Sequence, residues 1–148
     1  CPKDLSAEHD RWMEKKERKE TEKAIKEKIE EALKDEEKFR RLKSRYFGIC
    51  FTDGLISVHV LESVKEHLQE GVHMHHCVFR NAYYLKENSL ILSATIDGRR
   101  IETIELALDT LEVIQSRGVQ NKPTDYHERI IDLVKKNAYL IGNRRLAA

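Results

Sequence analysis

Two hydropathy regimes meet near Tyr46. Upstream, from Leu5 to about Arg45, no Gly or Pro interrupts a run of strong helix formers, which predicts a continuous helix. Its apolar residues Ile25, Ile29, Ala32, Leu33, Phe39, Leu42 and Tyr46 make only a thin, broken stripe. Opposite charges four residues apart, such as Glu22 with Lys26 and Glu30 with Lys34, support such a helix by roughly 0.2–0.5 kcal/mol each. Downstream the pattern becomes that of a packed domain. Phe47 to Phe51 reads as a strand, Thr52-Asp53-Gly54 as a turn, and Leu55 to Leu61 as its hairpin partner. Ser63 with Glu66 forms a capping box for a short helix ending at Gly71. A second helix is expected from about Met74 to Leu85.

Three strands follow Asn88-Ser89. Leu90, Leu92, Ala94 and Ile96 alternate on one face. A three-residue loop at Asp97-Gly98-Arg99 sets Leu92 opposite Ile104 and Leu90 opposite Leu106. A two-residue turn at Asp109-Thr110 then sets Leu106 against Val113 and Ile104 against Gln115, which aims Gln115 and Arg117 at the helix-covered face. By the same parity Glu105 lies on the face opposite Gln115. Thr124 is expected to cap a last helix that turns Ile130, Ile131, Leu133, Val134 and Leu140 inward. The fold class that results is α+β, a mostly antiparallel sheet of about five strands with helices on one face, preceded by a long charged helix. The expected organisation is a helical arm over residues 1–45 and a globular domain over 46–148.

Composition sharpens this division. Charged residues make up 36% of the chain, and they concentrate between Glu14 and Arg45, where thirteen basic side chains face ten acidic ones. Such a mixed run is read as a solvated arm, a helix that associates with upstream sequence or with itself, or a nucleic-acid arm. The net charge of +1 gives no overall pull toward nucleic acid or anionic lipid. No apolar run reaches the roughly 20 residues of a membrane span, so no membrane role is expected. Three cysteines without pair spacing argue against a disulfide framework and for a reducing, cytoplasmic setting. The start at Cys1 is read as that of a C-terminal piece of something longer.

Candidate chemistry gathers in one place. Three of the seven histidines, His73, His75 and His76, stand beside Cys77, with Asn81, Tyr83 and Tyr84 shortly after. A thiol near a helix N-terminus, next to imidazole, suits a nucleophilic site with Cys77 or His76 as the reactive group. Cys77 as a small buried packing residue, with structural histidines around it, is the competing reading. His73 with His75 or Cys77, and His127 at a distance, have zinc-ligand chemistry. There is no CxxC, HExxH or second compact pair, so neither a metal site nor a cofactor is expected. His59 and His67 read as surface residues.

The next blocks give these residues a context. Met74-His75-His76-Cys77-Val78 with its following tyrosine resembles the L-H-H-C-V…Y signature of the PcfJ-like proteins. Ser89-Leu90-Ile91-Leu92, Thr103-Ile104-Glu105 and Gln115-Ser116-Arg117-Gly118-Val119-Gln120-Asn121 resemble, in order, that family's following strand, its T-x-E strand and its Q-x-R-G-x-x-N segment. The resemblance covers about Leu61 to Leu140. It implies a bacterial protein of mobile elements and conjugation, and brings no defined reaction with it. A polar pocket built from His75, His76, Cys77, Asn81, Gln115, Arg117 and Asn121 is therefore expected. It serves either a non-catalytic module for a protein or nucleic-acid partner or an enzyme acting on a phosphate- or acyl-bearing substrate. Arg117 can grip such an anion in a fork, or pair instead with the cross-strand Glu102.

Overall fold

The computed structural model describes residues 7–75 and 83–147, and of residues 7–17, Ala32 and Tyr83 the backbone only. The chain divides into two compact units, Cys1–Lys34 and Asp35–Ala148. The first contains α1 (Ala7–Lys34), whose stripe residues Ile25, Ile29 and Leu33 are exposed. The helix expected to run on to Arg45 instead breaks at Asp35, and α2 (Glu36–Lys43) begins the second unit. Phe39 explains the place of α2. Its buried ring stacks on Phe47 at 5.9 Å and meets His67 edge-on at 5.0 Å.

The sheet comprises β1 (Cys50–Thr52), β2 (Ser57–Val60), β3 (Ser89–Ile96), β4 (Arg99–Ala107) and β5 (Val113–Arg117). The strands lie in the order of the chain and every neighbouring pair is antiparallel. The chain is thus an α+β protein, as its alternation predicts. Leu92 faces Ile104 and Leu90 faces Leu106, the expected register. The connection is tighter than a three-residue loop. Asp97 and Gly98, with φ of 50° and 80°, make a two-residue turn of the kind that suits strand twist, and a bulge between Ala94 and Thr95 takes up the extra residue.

A second bulge, between Glu105 and Leu106, matters more. Leu106 pairs with Val113 as expected, but Glu105 pairs with Gln115 and Ile104 with Ser116. One inserted residue reverses the facing of everything beyond it on β5. Ser116 therefore takes the place on the Ile104 side that was expected for Gln115.

α4 (His127–Leu146) covers the apolar face. Ile130, Leu133, Val134 and Ile141 cluster there with Val58, Val60, Leu90, Leu92, Ala94, Ile104 and Leu106. Each fully buried Leu, Ile or Val contributes about 1.5–3 kcal/mol by leaving water. α3 (Val64–Met74) reaches the sheet from the other side, where Glu70 meets Ser93 and Thr103. The Ser63 hydroxyl caps α3 by accepting the Glu66 N–H at 3.0 Å. The helix does not stop at Gly71. It continues to Met74 and ends where His75 turns left-handed at φ 53°. Of the expected helix from Met74 to Leu85, residues 76–82 lie outside the described residues, and Tyr83–Leu85 form one 3-10 turn. Thr124 does not cap α4, which opens at His127; its hydroxyl is engaged by Glu102.

Candidate functional site

Three glutamates stand inside the domain: Glu70 at 1% exposure, Glu102 at 0% and Glu105 at 5%. A buried carboxylate is tolerated only where hydrogen bonds replace water. Here all six oxygens are satisfied. Glu70 accepts from Ser93 Oγ at 3.0 Å, Arg100 Nε at 2.8 Å and Thr103 Oγ1 at 2.5 Å. Glu105 accepts from Ser89 Oγ at 2.7 Å and Gln115 Nε2 at 2.9 Å. Glu102 accepts from Ser116 Oγ at 2.7 Å, from the Thr124 N–H and hydroxyl at 2.8 and 2.6 Å, and from His127 Nδ1 at 2.8 Å. Burial alone raises the Glu102 pKa, but the bonds from Thr124, Ser116 and His127 outweigh it and hold the carboxyl below its ordinary value.

Alternation distributes these groups. Glu102 shares the apolar face with Ile104 and Leu106, whereas Thr103 and Glu105 point toward α3. The bulge brings Gln115 onto the Glu105 side, so the two bond where opposite facing was expected. It also settles the partner of Glu102, which binds Ser116 and His127, while Arg117 is exposed and lies opposite Thr103.

The residues expected to form one pocket are thus placed differently from one another. His75 is exposed at the end of α3. His76, Cys77 and Asn81 lie outside the described residues. Gln115 is half-buried on Glu105, and Arg117 is exposed. Asn121 is exposed in a 3-10 turn at Val119–Asn121, with φ 63° and its N–H donated to the Gly118 carbonyl at 3.1 Å. That turn packs beside α3, so the Gln115–Asn121 segment is brought next to the helix that leads into His75. Gly118 has a definite steric reason. A Cβ there would stand 2.7 Å from the Lys122 carbonyl oxygen and 2.7 Å from Thr124 Cγ2. Among the described residues no three His, Cys, Asp or Glu side chains gather as a metal site would need.

His67 corrects the surface assignment. It is 1% exposed, and its Nδ1 donates to the Ser63 carbonyl at 2.7 Å. Burial, with some help from nearby Lys43, lowers its pKa to about 4, against the pull of the Ser63 bond. Lys43 is buried as well, donating its ammonium to the carbonyls of Lys86 and Ser89. Desolvation brings it down to about 8, opposed by Glu87. The signal for His67 was available in the sequence: it shares the three-and-four spacing of Val64, Leu68, Gly71 and Met74. Glu102 likewise falls in phase with Ile104 and Leu106, a charged residue on a core-facing position.

An open trough runs beside this interior. Leu111, Glu112 and β5 form one wall, and His127, Ile131 and Lys135, spaced four apart on α4, form the other, around a volume of 520 Å³. The carboxylate of Glu102 can only accept, so His127 Nδ1 donates in that bond.

The fold and its polar layer define an antiparallel α+β domain in which Thr103, Glu105, Gln115 and Gly118 each have a structural partner or a steric role. These are residues of the T-x-E and Q-x-R-G-x-x-N blocks. The model of the PcfJ-like protein family matches residues 1–131, and the chain belongs to that family. The match takes in α1 and α2, beyond the Leu61–Leu140 span that carries the motifs, and ends within α4. No curated protein and no solved structure matches the chain. No described helix is long and apolar enough to cross a membrane.

Proposed function

We infer that this PcfJ-like chain is a non-catalytic binding module, cytoplasmic, in a bacterial protein of mobile elements or conjugation. The observation that supports it is the internal hydrogen bonding of the buried carboxylates. Every oxygen of Glu70, Glu102 and Glu105 accepts a bond from within the domain. Groups held in this way are committed to bonds within the domain, and their role is to order the sheet. What faces outward instead is a surface bearing Arg117, His127 and Lys135, suited to a protein or nucleic-acid partner.

One observation favours a second reading, an enzyme with a Cys/His-centred pocket for a phosphate- or acyl-bearing substrate. The turn at Val119–Asn121 lies beside α3, whose C-cap is His75, the residue before His76 and Cys77 in the sequence. Alkylation by iodoacetamide at pH 6–7, mapped by mass spectrometry, separates the two. Cys50 is exposed and serves as the internal reference. The binding reading expects Cys77 to react no faster than Cys50. A Cys77 rate tenfold or more above it identifies an activated thiolate and overturns that reading in favour of the enzyme.

A further inference from the structure

We propose that the trough between β5 and α4 takes an acidic, extended peptide segment of a partner protein as a sixth strand on β5. The proposal rests on the binding-module reading and names its partner class.

Among the described residues β5 is the outermost strand and pairs only with β4. Its other edge faces outward with Ile114 at 54% exposure and Arg117 exposed. An edge whose backbone groups face solvent is a template for another strand. The trough beside it has a definite direction. At one end Ser116 and His127 meet on Glu102. At the other, Leu111 packs so closely on Gly142 that a Cβ there would come within 2.8 Å of Leu111 Cδ1. Strand and helix therefore run side by side and opposite in sense, an arrangement that admits an extended chain along its length.

Charge selects the occupant. The lining carries Arg117 and Lys135 against the single carboxylate of Glu112, while His127 is engaged by Glu102. Asp132, on the neighbouring face of α4, is already paired with Lys136 at 2.9 Å. Ile114 and Ile131 supply apolar contact beside these lining cations. The bulge disfavours a second copy of this edge. It bends β5, which a flexible segment can follow but a rigid second copy of the same edge cannot match. A nucleic-acid strand would leave the backbone edge and the isoleucines unused.

The test uses the full chain and an eight-residue peptide alternating valine and glutamate, with a valine–lysine peptide and oligothymidylate as comparisons. Binding is read by amide hydrogen exchange. The expected result is slower exchange across Val113–Arg117 with the glutamate peptide, at an affinity at least tenfold above that of the lysine peptide. The preference reverses in the Arg117→Glu/Lys135→Glu variant. Both positions are exposed, so this variant is expected to fold. No protection of β5, equal affinity for both peptides, or preference for oligothymidylate overturns the proposal. So does concentration-dependent protection of β5 without peptide, which identifies a second copy as the occupant. Cys77 reactivity tests the underlying binding-module reading independently, so the failure of one is distinguishable from the failure of the other.

Discussion

His127 Nδ1 lies 2.8 Å from Glu102 Oε1, joining the first residue of α4 to a fully buried position on β4. The same carboxylate holds Ser116 on β5 and both the N–H and the hydroxyl of Thr124. One side chain thus ties two strands, the connecting loop and the final helix. Hydrogen bonds to a charged group are worth about 1.5–3 kcal/mol each, and their buried donors would be left unmet on truncation. Glu102→Ala is expected to lower unfolding free energy by about 3 kcal/mol or more in urea titrations. The folded pKa of Glu102 is depressed, so its contribution is present above the unfolded carboxylate value and is lost as pH falls through the folded one. The variant should therefore lose part of the wild-type decline in stability at acid pH. An unchanged urea midpoint at neutral pH would mean that the carboxylate does not organise this corner.

His67 titrates in the opposite chemical sense but with the same slope. Its folded pKa is about 4 against an ordinary 6.5, so between those values the unfolded chain binds the extra proton and stability rises with pH. The full effect amounts to roughly 3 kcal/mol, complete above the unfolded pKa and absent below the folded one. Imidazole resonances followed by NMR should show His67 still neutral at pH 5. A His67 midpoint near 6.5 would contradict its burial against Phe39 and Tyr84.

Gly118 is the third test. The loop brings the Lys122 carbonyl to 2.7 Å from its N–H, and an added Cβ would meet that same oxygen and Thr124 Cγ2. The oxygen belongs to backbone, so relief requires the loop to shift. Gly118→Ala should destabilise the domain by about 1–3 kcal/mol, the usual cost of overpacking. It should also disturb the Thr124–Glu102 bond, visible as a shift of the Thr124 amide resonance. A neutral substitution would show that the loop relaxes freely.

The legibility of this protein in its sequence follows the range of the forces involved. Alternation in Leu90, Leu92 and Ala94 and in Ile104 and Leu106 announced a half-buried sheet, because pleating places every second side chain on one face. The Ser63–Glu66 cap was readable for the same local reason. Less was readable at the candidate site. Counting parity through β5 placed Gln115 and Arg117 inward and Glu105 away from them. A single bulge residue reversed that, joined Gln115 to Glu105, and handed the apolar face to Ser116. His67 and Glu70 were passed over because polar residues were read as solvent-facing, although their helical phase matched the buried face of α3.

By itself the sequence determined the α+β class, the run of five strands, the charged helix at the start and the membership in the PcfJ-like family. These follow from periodicity and from motifs whose residues are neighbours along the chain. Tertiary structure alone decided which carboxylates are buried, which donors meet them, and which groups remain on the outer edge. Those outcomes depend on contacts between residues far apart in sequence, such as Glu70 with Ser93 and Thr103, and on a bulge that changes facing without changing hydropathy. The energy of a buried charge is set by the donors that close around it, and only the folded chain assembles them.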